Sequence, residues 1–154
     1  MNGLRRKDRA ITKDEAIAIL NKAEYGVLST SNENSKPYGV PLNFCIINNS
    51  IYFHCAVEGE KIDNLKQNKS VSFCIVGGTE LLPEKFGTKY ESVIVSGEAE
   101  EVFKQDKQNA MEGLLHKYSP EFIDQGIKYI QGKKEKTRVF KIIINKITGK
   151  ARTQ

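Results

Sequence analysis

Six segments rich in β-branched and aromatic residues recur along this chain, and most are separated by turn residues rather than by helices. That rhythm constrains the fold more than any other feature. The segments cover residues 25–30, 36–47, 51–54, 70–76, 90–103 and 137–147. Ser31-Asn32-Glu33-Asn34-Ser35 forms the first turn, and Asn48-Asn49 joins the second and third segments. Asparagine tolerates the left-handed backbone that a tight hairpin demands. Val71, Phe73 and Ile75 alternate as in a half-buried strand, and Gly97 marks a bulge or bend within the long fifth segment. Pro41 cannot donate to a ladder, so its strand is irregular or at an edge. The break is either an ordinary bulge or a place where freed backbone groups meet a ligand. Hairpin-linked strands in a small domain indicate a closed or nearly closed antiparallel barrel. No βαβ rhythm and no G-x-G-x-x-G are present, which excludes a Rossmann domain.

Helices decorate this β framework. Thr12 and Glu15 read as a capping box, with Ile11 and Ala16 as a hydrophobic staple, opening a helix that carries Ala16, Ile17, Leu20 and Ala23. Residues 104–136 read as a helical insertion. Its first helix, 106–118, aligns Ala110, Met111, Leu114, Leu115 and Tyr118. Its second is expected to open with Ser119 as N-cap and Pro120 in the first position, and to stop near Gly132. Residues 77–89 form a loop that is either a lid or is tucked against the core. At 154 residues a single domain, 1–154, is expected, with a flexible basic N-terminus over 1–10.

Composition excludes several function classes. Net charge is +5, but acids and bases are interleaved, and no continuous basic face with aromatics suggests nucleic acid. No apolar run reaches membrane-spanning length and no signal region follows the charged N-terminus, so a cytoplasmic protein is expected. Cys45, Cys55 and Cys74 are then reduced thiols. No C-x-x-C pair accompanies them, so no metal site is expected. Two histidines, His54 and His116, leave histidine-dependent hydrolysis little to work with.

The stretch Ile51-Tyr52-Phe53-His54-Cys55-Ala56-Val57-Glu58-Gly59-Glu60-Lys61 carries the chemistry. A strand ends at His54-Cys55-Ala56, crosses a glycine-containing loop and delivers a lysine to a helix start. A lysine there meets the positive end of the helix dipole, which costs a few tenths of a kcal/mol if the side chain is simply solvated. An anion held by the free N–H groups and the ammonium reverses the sign, and phosphate is the obvious guest.

With these residues in view, the chain resembles the FMN-binding split barrel of the pyridoxamine-phosphate-oxidase-like superfamily, and within it the nitroimidazole-resistance (Nim) family. The motifs are Pro37-Tyr38-Gly39-Val40-Pro41-Leu42-Asn43-Phe44, Tyr52-Phe53-His54-Cys55-Ala56, Gly59-x-Lys61, Tyr90-x-Ser92-Val93 and Ile147-Thr148-Gly149-Lys150. The resemblance spans nearly the whole chain, the helical insertion and the 77–89 loop excepted. It implies a six-stranded antiparallel split barrel with peripheral α-helices and an FMN cofactor. Lys61 would hold the phosphate, and the small residues Cys55 and Ala56 would let backbone approach it. Relatives commonly place serine at the Cys55 position, and a thiol is the weaker donor. Val40, Pro41, Leu42 and Asn43 would lie along the isoalloxazine ring. His54 would be the catalytic proton handler, although a histidine capping the strand by a backbone hydrogen bond reads equally well from sequence. Ser92 joins the cofactor-binding set through its segment at the interface of a homodimer with FMN between the chains. The implied activity is an FMN-dependent, nitroreductase-like oxidoreductase taking electrons from NAD(P)H or another donor to a small acceptor such as a nitroimidazole. Alternatives are a non-catalytic flavin-binding or stress-related module, a haem-binding split barrel with His54 as ligand, and a B6-phosphate oxidase. The last would want several arginines, and the strand regions hold only Arg138.

Overall fold

The computed structural model describes residues 3–154. The strands are β1 (Gly26–Ser31), β2 (Pro37–Leu42), β3 (Cys45–Ile47), β4 (Ser50–Cys55), β5 (Ser70–Val76), β6 (Glu80–Leu82), β7 (Gly87–Val102) and β8 (Arg138–Arg152). The helices are α1 (Lys13–Lys22), α2 (Glu60–Gln67), α3 (Lys104–Tyr118) and α4 (Ile123–Lys133). Every ladder is antiparallel, in the order β2-β1-β5-β7-β8-β4-β3, with β6 paired to the start of β7. The two ends of that order, β2 and β3, follow each other in the chain with only Asn43 and Phe44 between them. The sheet therefore curls until its edges nearly meet, and covalent chain rather than a ladder bridges the seam. This is the expected split-barrel architecture.

Eight strands replace the six expected, for local reasons. The 36–47 segment breaks at Asn43-Phe44, where the chain leaves one edge of the sheet and joins the other. Pro41 sits in an edge strand, opposite Val27, as its missing N–H requires. Residues 77–89 hold a short hairpin, β6 to β7, around a 3₁₀ turn at Pro83–Lys85, with Leu82 buried and Leu81 and Phe86 exposed. Asn48 and Asn49 both adopt positive φ, 49° and 62°, and close the β3–β4 hairpin as expected. The register of β7 on β8 shifts at Ser96/Gly97, and a Cβ on Gly97 would lie 2.0 Å from the Ile143 carbonyl oxygen. Only glycine allows that approach.

Two apolar clusters organise the molecule. Inside the barrel, Leu28, Phe44, Phe53, Phe73, Ile75, Val93, Val95 and Ile142 are almost fully buried, under the cap of α1 and α2. Each buried phenylalanine contributes roughly 1.5–3 kcal/mol. Outside, α3 and α4 bury Met111, Leu114 and Ile130 against Cys45, Tyr52 and Val139 on the outer face of β3, β4 and β8. The capping box of α1 is present in both directions, Glu15 N–H to Thr12 Oγ1 at 3.2 Å and Thr12 N–H to Glu15 Oε2 at 2.9 Å. The expected start of the second insertion helix is corrected. Ser119 ends α3, Pro120 and Glu121 form a turn, and α4 begins only at Ile123 after Phe122 donates to the Ser119 carbonyl. Of the N-terminal segment expected to be flexible, Met1 and Asn2 lie outside the described residues. Lys7–Arg9 form a 3₁₀ turn and Ala10 bridges to Lys150.

Candidate functional site

The site is built where β4 hands the chain to α2. β4 ends at Cys55, and the backbone turns at Gly59, whose φ of 143° suits glycine, to enter α2. No side chain caps this helix, so its first N–H groups have no side-chain acceptor. Lys61 stands in that first turn with its ammonium 5.9 Å from the Phe53 ring centre. Among the described residues it takes part in no ion pair. Glu58 and Glu60 beside it are exposed. Lysine and uncapped helix start thus both place positive potential at this end of α2.

Arg138 stands across the ladder from Cys55. Its Nε donates to Glu101 Oε1 at 3.0 Å and Nη2 bonds the same oxygen, while Nη1 reaches the Val57 carbonyl at 3.4 Å. One side chain thereby ties the loop between strand end and helix start to two strands of the sheet. Cys55 is half-buried, and burial pushes its thiol up, opposed by Lys61 and Arg138. Burial drives Cys45 up to about 11. All three cysteines are free.

His54 points away from the barrel interior, on the same side as the helical insertion. His54 stays accessible to solvent, but partial desolvation of its imidazole by surrounding atoms holds it below the usual 6.5, and the Lys61 charge lowers it further. It lines a cavity of about 750 Å³ under α3 and α4, whose wall also holds Asn43, Leu114, Tyr118, Phe122 and Ile130. The break at Asn43-Phe44 is pinned from the same helices. The Tyr118 hydroxyl lies 2.5 Å from the Glu24 carbonyl and 3.1 Å from that of Phe44, and accepts from the Phe44 N–H at 3.1 Å. Lys117 Nζ donates to the Phe44 carbonyl at 2.8 Å and sits 3.6 Å from its ring centre.

The predicted site residues divide. His54, Cys55, Ala56 and Lys61 are contiguous at the β4–α2 junction, and Asn43 shares the cavity with His54. Val40 and Leu42 turn their side chains to the barrel core, while Pro41 and Asn43 are exposed, so the 40–43 stretch offers a ligand alternate side chains and its backbone. Ser92 is not brought to this corner within one chain. It pairs with Lys150, whereas His54 pairs with Val139, eleven residues along β8 and roughly 35 Å of extended strand.

A sequence profile of the pyridoxamine 5′-phosphate oxidase family matches residues 12–151. The chain belongs to that family. No curated protein matches it in sequence. Among solved structures, a candidate 5-nitroimidazole antibiotic resistance protein from Bacteroides thetaiotaomicron aligns with TM-score 0.74 at 24% identity, over 92% of this chain and 85% of its own. An FAD-binding protein from Mesorhizobium loti gives 0.69 at 20% identity, over 95% and 97%. The flavocytochrome Anf3 from Azotobacter vinelandii gives 0.82 at 19% identity, over 99% and 73%. These likenesses establish a shared fold. In this pyridoxamine 5′-phosphate oxidase family member, Arg138, Lys117 and Tyr118 are structural parts of the site that sequence reading missed. Their partners lie far away in the chain, so the helical stripe that marks Tyr118 and the strand position of Arg138 do not reveal these roles. Among the described residues no group of three or more His, Cys, Asp or Glu is placed to hold a metal ion, and no helix is long and apolar enough to cross a membrane.

Proposed function

We propose that this protein is an FMN-dependent oxidoreductase, taking electrons from a reduced nicotinamide and delivering them to a small acceptor such as a nitroimidazole. The observation that carries the reading is the β4–α2 corner, where the unpaired Lys61 and the uncapped start of α2 meet beside His54. The corner suits a phosphate, because a lysine without an ion-pair partner among the described residues stands in the first turn of a helix whose N–H groups no side chain caps. The neighbouring Arg138 is already committed to Glu101. The solved structures named as flavin proteins and as a candidate nitroimidazole resistance protein support the same cofactor class and acceptor.

FMN, when bound, supplies the redox chemistry, and the protein supplies binding and orientation. Lys61 and the α2 N–H groups hold the phosphate. Cys55 and Ala56 would let backbone come close, and the 40–43 stretch would offer its backbone to the flavin ring. Neutral at pH 7, His54 would offer an N–H hydrogen bond to an acceptor in the adjoining cavity and, once protonated from solvent, would pass that proton to the acceptor as it is reduced. A homodimer completes the site, since Ser92 lies far from His54 within one chain. Val27 and Ile94, aligned through Cys74 on the outer face of β1, β5 and β7, give a second copy an apolar surface. The free cysteines suit the reducing cytoplasm in which we place the protein. The B6-phosphate reading is weaker, because the guanidinium of Arg138 is engaged by Glu101.

A second reading, haem, draws on one observation: a neutral imidazole, the form that binds metal, opens onto an apolar cavity. The visible spectrum of the purified protein tests both. Flavin bands that bleach anaerobically with NADH or NADPH are expected. A Soret band would replace flavin with haem. Flavin bands that persist would leave a binding module or another donor, and a colourless protein unable to take up FMN would overturn the reading.

A further inference from the structure

The cavity beneath α3 and α4 has a chemistry that the flavin corner does not use. Its volume, about 750 Å³, falls in the range of small-molecule sites. Much of its wall is apolar, from Met111, Leu114, Phe122 and Ile130. Its charged residues are Lys133 and Lys136, and no aspartate or glutamate lines it. Both lysines are exposed, and among the described residues neither makes an ion pair. Lys133 in the last turn of α4 complements the helix dipole, but Lys136 lies beyond that helix, so the dipole does not account for the pair.

We infer that this open cavity binds an amphipathic organic anion: an aromatic or aliphatic body held against the helix pair, with one carboxylate or sulfonate at Lys133 and Lys136. Apolar contact supplies affinity, and the two ammonium groups select the anion over its neutral isostere. His54 and Asn43 stand in the same wall, so the occupant lies next to the proposed flavin site. Its role as electron acceptor rests on the flavin reading, but its binding does not.

The test is isothermal titration of the purified protein with para-nitrobenzoate and with para-nitrobenzyl alcohol, a neutral molecule of the same size. The nitrobenzoate is expected to bind roughly five- to tenfold more tightly. Lys133→Ala/Lys136→Ala, which changes only exposed side chains, should abolish that preference and leave the affinity for the alcohol within about twofold. Phe122→Ala should weaken both ligands alike. Equal affinity for the two ligands, a preference that survives the double variant, or no binding of either would overturn the inference. The flavin spectrum of the same samples separates the two readings. Colourless protein with lysine-dependent nitrobenzoate binding would sink the flavin reading alone. Yellow protein without it would sink the cavity inference alone.

Discussion

Lys61 occupies a position that a helix by itself disfavours, and its role is decided by what stands in front of it. Lys61→Ala should weaken FMN binding by about 1–3 kcal/mol, the range for a lost charge-assisted hydrogen bond. Fluorescence titration measures it, and unchanged affinity would put the phosphate elsewhere. His54 carries a pH signature. Because its folded pKa lies below 6.5, the unfolded chain binds the proton more tightly than the folded one. His54 therefore adds to stability at neutral pH and loses that contribution as the pH falls below about 6.5 towards the folded value. The melting temperature should drop more steeply between pH 7 and pH 5 in the native protein than in His54→Gln, and parallel profiles would remove His54 from that balance. A bound phosphate would screen Lys61 and raise the imidazole again. The placement of these two residues at one strand–helix junction was legible in sequence because strand end, glycine and lysine are close neighbours in the chain. The inward turn of Val40 and Leu42 was not, since an irregular edge strand does not declare which alternate side chains meet the core.

Arg138 shows how the ends of elements hold the site. Arg138→Gln should cost about 1–2 kcal/mol by leaving the half-buried Glu101 carboxylate without its partner, and should also loosen the Val57 loop ahead of Lys61. Denaturant midpoints measure the first effect, and FMN affinity the second. If stability fell with affinity unchanged, Arg138 would be a fold residue only. Gly97→Ala should destabilise by about 2–4 kcal/mol, because the added methyl meets the Ile143 carbonyl and forces β7 off β8. A folded variant with an unchanged urea midpoint would contradict the bulge geometry. Gly97, the Asn48-Asn49 turn and the Thr12/Glu15 cap were readable because each acts within a few residues. The start of α4 was misread because Ser119-Pro120 has the composition of a helix start. The C-terminal end of α3 takes Ser119, and the turn at Pro120 and Glu121 delays the next helix.

The sheet leaves Val27, Val76 and Ile94 exposed on its outer face, and the proposed homodimer would cover these large apolar side chains. Val27→Asp/Ile94→Asp should shift the protein from dimer to monomer in light scattering and lower its FMN content. A variant still dimeric and fully loaded would move the interface elsewhere. At the same scale, the barrel itself followed from sequence. Strand-length apolar segments, hairpin turns and the absence of crossover helices leave an antiparallel sheet little choice but to curl, and the β4–α2 corner lies within one short stretch of chain. The tertiary structure alone decided the rest. It split the second strand so that its halves edge the sheet on opposite sides. It set the helical insertion beside His54 to form an open cavity, pinned the Asn43-Phe44 seam through Lys117 and Tyr118, and carried Ser92 far from the corner. Those outcomes depend on register and on contacts between residues distant in the chain, and neither hydrophobic period nor turn chemistry encodes them locally.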